Sequence, residues 1–372
     1  MKQKKILLTL LCIASLLLTA ALLAAIPGSV GQPGVRASQG GDSRVLNAYE
    51  SYAANAVSDA LDGVISIPKH YWIGDGALKA PVPSESCYGE TDNPADLIPV
   101  LERAQTLLQG QSLYFSPDVE ILSGSTVRYY LDDTIFAVSW KTVMDYTVYS
   151  FAEIKIADPS QFRRFLAGGE YGSEKLYITT EMADSVNAVV ASSGDYYLHR
   201  SVGVVVSDGI VRKMAGDRAD TCFVDADGNL SLLHRGELTD MEEAQAYVTA
   251  HNIRFSLAFG PILVENGVAS TPANYPLGEV NDHYARAALC QRDALHYLLA
   301  VANSEGAWRQ VPTIHEFARR IQETGCPTAY ALDGGQTAAI VMHRELVNRV
   351  VFGYQRRISD IIYFATAIPD GE

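Results

Sequence analysis

The sequence predicts an α+β fold: a mixed, largely antiparallel β-sheet core with flanking helices, preceded by an N-terminal transmembrane or signal helix and a short helical accessory region. Three observations carry the prediction. Residues 127–130, 135–143 and 147–156 are crowded with aromatic and β-branched side chains, the composition of strands. Two further pairs of apolar runs flank Ser207-Asp208-Gly209 and Asp225-Ala226-Asp227-Gly228-Asn229, which read as hairpin turns. Helical signatures occur singly among these runs instead of alternating with them, which argues against repeated βαβ units.

The chain begins with Lys2, Lys4 and Lys5 ahead of an uncharged, Leu- and Ala-rich run over residues 6–26, an export signature. The run is long enough for one helix to cross the roughly 30 Å hydrocarbon layer, whereas a cleavable signal usually has an apolar core of about 7–15 residues. Residues 1–26 therefore read as a membrane anchor with its lysines inside, and cleavage near Ala24, Ala25 or Gly28 is the alternative. Either way the body is extracytoplasmic. Residues 27–43, rich in Gly, Ser, Pro and Gln, read as a flexible stalk. Residues 44–112 read as the helical accessory region. There Val45, Tyr49, Tyr52, Ala56 and Ala60 recur at helical spacing. A second helix is expected from an Asp96 N-cap, through Val100, Leu101, Ala104, Leu107 and Leu108, to Gly110.

Residues 113–372 form the main domain. After its first three strands, Asp158-Pro159 is expected to open a short helix through Phe162 and Phe165 that closes at Gly168-Gly169. The hairpins follow, with strands at 202–206, 210–213, 221–224 and 230–233. Thr239 with Glu242, and Thr313 with Glu316, have the spacing of capping boxes. The second opens a helix carrying Ile314, Phe317, Ala318 and Ile321, stopped by Gly325.

Charge narrows the function. The chain has 43 acidic and 29 basic residues, a formal charge of −14. That balance argues against nucleic acid as a partner and leaves anionic ligands dependent on a local basic pocket. Cys87, Cys222, Cys290 and Cys326 are too widely spaced for a CxxC zinc or redox motif, and no bridge is assigned among them. No GxGxxG, Walker loop or GxSxG elbow is present. Ser66-Ile67-Pro68-Lys69 has the SxxK spacing, but Pro68 interrupts the helix that chemistry needs. Asp225-Ala226-Asp227-Gly228 looks like a calcium loop until Gly236, which stands where the bidentate Glu belongs.

Three segments concentrate Gly, charge and small polar residues at strand ends. They are Ser192-Ser193-Gly194-Asp195-Tyr196-Tyr197, then Phe259-Gly260-Pro261 followed by Tyr284-Ala285-Arg286-Ala287, then Leu332-Asp333-Gly334-Gly335-Gln336-Thr337. A carboxylate between an apolar strand and Gly-Gly can be held rigidly while backbone amides approach a ligand. The competing use is a tight turn in which Asp bonds its own backbone, and that reading is assigned to Asp208 and Asp227.

In their order, these segments resemble the phosphodiester glycosidase domain family, which includes the lysosomal uncovering enzyme and bacterial exopolysaccharide-biosynthesis relatives. The resemblance covers about residues 115–368 and rests on Ser193-Gly194-Asp195-Tyr196-Tyr197, Phe259-Gly260-Pro261 with Leu263-Val264 and Asn266-Gly267, Arg286, Leu332-Asp333-Gly334-Gly335, and a final strand around Asp360-Ile361-Ile362-Tyr363-Phe364. The chain departs from the family text at Ser193 and Ala331, which replace Asn, at Ala287, which replaces Thr, and at Gln336-Thr337, which replace Gly-Ser.

The resemblance implies hydrolysis of a sugar C1–O bond with phosphate as leaving group, acting on a phosphorylated glycan or cell-wall polymer. A non-catalytic binding or assembly protein for phosphorylated exopolysaccharide is the alternative. Such a site needs a planar cation on the phosphoryl oxygens, a role for Arg286, and a carboxylate near the anomeric carbon. Asp333 is the first candidate for that carboxylate and Asp195 the second. Ser193, Gly194, Tyr196, Gly334, Gly335, Gln336 and Thr337 are expected to line the substrate. The sequence requires no cofactor, and the question of a divalent metal stays open.

Overall fold

The computed structural model describes residues 71–73, 77–216, 218–272, 275–276, 282–305 and 310–368, all within a unit spanning Leu61–Glu372. The expected anchor, the stalk and the helix over residues 45–60 lie outside the described residues. Among the described residues no helix is long and apolar enough to cross a membrane.

The body is α+β. A nine-stranded sheet runs in the order Val268–Ala269, Ile262–Glu265, Thr328–Leu332, Arg286–Asp293, His296–Asn303, Thr147–Ile156, Ile135–Met144, Val127–Leu131, Tyr88–Thr91. A five-stranded sheet runs Glu345–Leu346, Ile340–Met342, Val190–Ser193, Asp360–Phe364, Phe162–Leu166. A three-stranded sheet places Thr221–Asp225 between Leu230–Leu233 and Ile253–Leu257, and Gly203–Ser207 pairs with Ile210–Ala215 as a hairpin. The "mixed" part of the expectation is not met among the described residues, where every named strand pair is antiparallel.

Period-two alternation sorts the nine-stranded sheet's side chains into two cores. Phe136, Val138 and Trp140 join the core beneath helices α1 (Ile98–Leu108) and, toward the C-terminus, Ile314–Glu323. Ile135 and Ala137 face the other core, with Val190, Ile340, Ile362 and Phe364 of the five-stranded sheet and Cys222 and Phe255 of the three-stranded one. The central sheet is therefore covered by helices on one face and by smaller sheets on the other. Two more helices, α2 (Thr179–Ser185) and α3 (Met241–Ala250), complete the body, and Ile314–Glu323 is α4.

Most local expectations hold, and the departures have physical causes. Asn93, not Asp96, makes the first cap: its side chain accepts from Ala95 N and opens the 3₁₀ turn Pro94–Leu97 that runs into α1. Thr313 and Glu316 form the expected box at α4. At α3 the cap moves one residue on, because Asp240 accepts from Glu243 N at 2.9 Å while Glu243 receives Thr239 N. The helix expected after Asp158-Pro159 is a single 3₁₀ turn, Pro159–Gln161, after which the chain extends as the strand Phe162–Leu166. Pairing with Asp360–Phe364 overrides the helix-start signal there, and the Phe162 ring stacks on Phe364 with centroids 4.7 Å apart. Tyr88–Thr91, in the segment read as helical, pairs with Val127–Leu131 at the edge of the large sheet. The four described cysteines are free thiols.

Candidate active site

The two larger sheets meet at the ends of Val190–Ser193 and Thr328–Leu332. Asp333 N donates to the Gly194 carbonyl at 3.1 Å, and the Ser193 hydroxyl donates to the Asp333 carbonyl at 3.3 Å. Two of the sequence-selected segments, far apart in the chain, are thus brought to one seam.

On the Gly194 side lies a buried ionic hub. Arg164, inside Phe162–Leu166, pairs with Asp195 Oδ1 at 2.9 Å and with Asp360 Oδ2 at 2.8 Å, and it also donates to the Ser256 carbonyl. Asp195 Oδ1 accepts from Tyr197 N at 2.8 Å, and its Oδ2 accepts from Ala258 N at 2.8 Å. Asp360 Oδ2 accepts from Asp195 N at 3.2 Å. Burial opposes the charge of Arg164, but the two carboxylates outweigh it and hold the guanidinium above its ordinary value. Burial pushes the Asp360 carboxyl upward while Arg164 pulls it back. Gly194 is required by this packing, since a Cβ there would stand 2.0 Å from Asp360 Oδ2.

On the Asp333 side the environment differs. Asp333 is 8% exposed, and its Oδ2 has no hydrogen-bond partner among the described residues. Burial raises its carboxyl to about 6, and the Thr337 hydroxyl and the charges of Arg200 and Arg356 only partly oppose this. The turn beyond it is tight. Gly335 N donates to the Ala285 carbonyl at 2.7 Å, and a Cβ on Gly334 would lie 2.6 Å from that same oxygen. Thr337 Oγ1 donates to the Gly334 carbonyl at 2.6 Å, and Gln336 donates to the Tyr354 carbonyl at 3.2 Å.

Tyr196 links the cations to this turn. The Arg356 guanidinium lies 5.2 Å from the Tyr196 ring centroid and donates to its hydroxyl at 2.6 Å. Arg200 lies 5.4 Å from the same ring and 5.0 Å from that of Phe259. Two guanidinium groups beside a half-buried tyrosine and a buried carboxyl can receive an anion next to a group that exchanges a proton near neutrality.

Arg286 borders the same turn through its backbone, since a Cβ on Gly334 would lie 3.8 Å from the Arg286 Cα, while its guanidinium has other partners. It opens the strand Arg286–Asp293, directly after the Ala285 carbonyl that receives Gly335 N. Its guanidinium donates to the Asp282 carbonyl and lies 5.8 Å from the Tyr284 ring. Burial lowers it to about 10, and the groups acting on its charge are Asp282 and Tyr284. Sequence reasoning passed over Arg164, Arg200 and Arg356, and it named Asp360 only as part of the final strand. Arg164 had one signal, an arginine in the middle of an apolar strand. Among the described residues, no group of three or more His, Cys, Asp or Glu could hold a metal ion.

Residues 185–365 match the phosphodiester glycosidase family. The fold is similar to that of the catalytic domain of zebrafish N-acetylglucosamine-1-phosphodiester alpha-N-acetylglucosaminidase, a structure auto-inhibited by its pro-peptide, with a TM-score of 0.50 and 16% identity over 62% of this chain and 83% of that one. A hypothetical protein from Synechocystis aligns with a TM-score of 0.45 and 13% identity, over 66% of this chain and 64% of that one. No curated protein matches the sequence. The strands before residue 185, including the one that supplies Arg164, complete the sheets around the matched segment. Over residues 185–365, then, this chain is similar to the phosphodiester glycosidase family.

Proposed function

We propose that the protein is an extracytoplasmic hydrolase cleaving the C1–O bond of a glycosyl-1-phosphodiester in a surface or cell-wall glycan. The observation that carries this reading is Asp333, a buried carboxyl raised to about 6 beside two arginine charges at a Gly-Gly turn. The family match supports the reaction class. The name of the zebrafish enzyme makes N-acetylglucosamine the first sugar to try.

Phosphate leaving as a monoester, with a second pKa of about 6, needs less proton assistance than a departing alcohol. Two tasks remain. Above pH about 6 the ionised Asp333 activates water or stabilises the oxocarbenium-like charge at the anomeric carbon. Arg200 and Arg356 take the phosphoryl oxygens through their planar forks, a local attraction within a chain of net charge −14. Tyr196 offers its ring as a floor for the sugar.

In this reading Asp195 is a positioning residue, because its oxygens already serve Arg164, Tyr197 N and Ala258 N. Arg286 supports the turn from the neighbouring strand. The deciding experiment incubates the full-length chain with nitrophenyl-phosphate diesters of common hexoses and with cell-wall polymer, then assays released reducing sugar. Turnover that Asp333→Asn abolishes is expected. Saturable binding without turnover would replace the hydrolase with a binding or assembly protein on the same scaffold.

A further inference from the structure

The segment between Glu345 and Asp360 stands out from the rest of the chain. It holds Arg349, Arg356 and Arg357 and no acidic residue, within a protein whose acids outnumber its bases by 43 to 29. All three arginines are exposed. Between them Phe352 is 79% exposed and Tyr354 65% exposed, and their rings are inclined by 29° with centroids 6.5 Å apart. Phe352 also has a backbone φ of 64°, a conformation uncommon for a bulky aromatic residue.

This display is built into the fold. Arg349 N donates to Glu305 at 2.7 Å and Gly353 N to the Val350 carbonyl at 3.0 Å. Gln355 exchanges hydrogen bonds with Thr180, and Ile358 N donates to the Tyr177 carbonyl. A segment anchored along its length that still turns two aromatic faces to water has a surface use for them. The segment also adjoins the Asp333 site at two points. Gln336 of the Gly-Gly turn bonds the Tyr354 carbonyl, and Arg356 bonds Tyr196.

We infer that Phe352 and Tyr354, with Arg349 and Arg357 of the same segment, form a second subsite that holds an uncleaved unit of a phosphate-linked glycan whose cleaved unit lies at Asp333. Aromatic rings stack on the C–H faces of sugars, and exposed guanidinium groups pair with the phosphates between units. The inference rests on the hydrolase reading for the location of the cleaved unit. It adds that the substrate is a chain of several anionic units.

The test uses the full-length chain carrying Asp333→Asn, so that binding is measured without turnover. The probes are phosphodiester-linked trimers of glucose, mannose, galactose and N-acetylglucosamine, the matching nitrophenyl-phosphate monomers, and neutral trimers. We expect at least one anionic trimer to bind more tightly than its monomer and its neutral counterpart. Phe352→Gly with Tyr354→Ser should weaken that trimer by about tenfold and leave the monomer unchanged. Glycine suits the positive φ at residue 352, so the variant retains its fold, which a melting curve checks. If no trimer exceeds its monomer, if the variant weakens both alike, or if it changes only the oligomeric state seen by light scattering, the subsite is overturned. Failure of the hydrolase reading shows separately, as length-dependent binding by a wild-type chain that turns nothing over.

Discussion

Asp195 and Asp333 start from the same kind of sequence and end among opposite sets of neighbours. Each follows an apolar strand, and each has glycine as an immediate neighbour. At Asp195 a guanidinium and two backbone amides converge on the carboxylate, so its charge is spent on holding Phe162–Leu166, Val190–Ser193 and the Ala258 backbone together. At Asp333 one oxygen has no partner among the described residues, and burial raises the group to about 6. The number of donors reaching a strand-end carboxylate decides whether it serves the fold or the chemistry. Its local sequence does not.

The same substitution at both positions should therefore break in opposite directions, and the largest effect belongs to Asp333→Asn. If Asp333 acts on water or on the anomeric carbon, its loss should cut kcat by about 10²–10⁴, read from reducing-sugar release. The wild-type rate should rise with pH through about 6 as the group ionises. Stability should move the other way. The folded chain keeps the Asp333 proton up to about 6, against an ordinary value of 3.8, so between those values the folded state binds more protons than the unfolded one. Wild-type stability from this group therefore falls as pH rises across that window. Asp333→Asn should gain up to about 3 kcal/mol near pH 7 and lose that advantage below the ordinary carboxylate range.

Asp195→Asn should destabilise the fold, because it removes the carboxylate that pairs with the buried Arg164. An amide there meets a donor in either orientation, Tyr197 N and Arg164 on one side and Ala258 N on the other. Removing one partner of a buried ion pair costs about 3–5 kcal/mol, which urea unfolding would resolve. If Asp195→Asn instead matches Asp333→Asn, abolishing turnover without loss of stability, the division of labour between the two carboxylates is wrong. Gly194→Ala probes the hub more gently. The added methyl must displace the Asp360 carboxylate, and overpacking of this kind costs about 1–3 kcal/mol.

What the sequence made legible follows the range of the interactions. Residues 147–156 read as a strand because their own side chains declare it, and the structure places the strand Thr147–Ile156 there. Phe162–Leu166 did not, because its nearest signal was the Asp158-Pro159 turn and its pairing partner Asp360–Phe364 lies almost at the other end of the chain. Tyr88–Thr91 has little strand character of its own and is ordered by Val127–Leu131. The site divides in the same way. Gly194-Asp195 and Asp333-Gly334-Gly335 were legible because glycine beside a carboxylate marks close backbone approach. Arg164 and Asp360 were not, since only the folded sheet sets them against Asp195. Arg200 and Arg356 acquire meaning only through their shared contact with Tyr196.

The smallest expected effect separates the two candidates for phosphate recognition. Arg356→Lys keeps the charge but loses the planar fork and the guanidinium contact with Tyr196. Arg356 is exposed, so the fold should be unaffected, and kcat/KM should fall by about tenfold as one charged contact weakens. Arg286→Lys makes the same chemical change at a guanidinium engaged with the Asp282 carbonyl and the Tyr284 ring. Its effect should fall mainly on stability, with kcat/KM changed by less than about threefold. Measuring both variants on one nitrophenyl-phosphate diester makes the comparison internal. Should Arg286→Lys cost more in kcat/KM than Arg356→Lys at equal stability, the phosphate contact returns to the strand Arg286–Asp293. The arginines around Tyr196 would then serve the glycan chain beyond the cleaved bond.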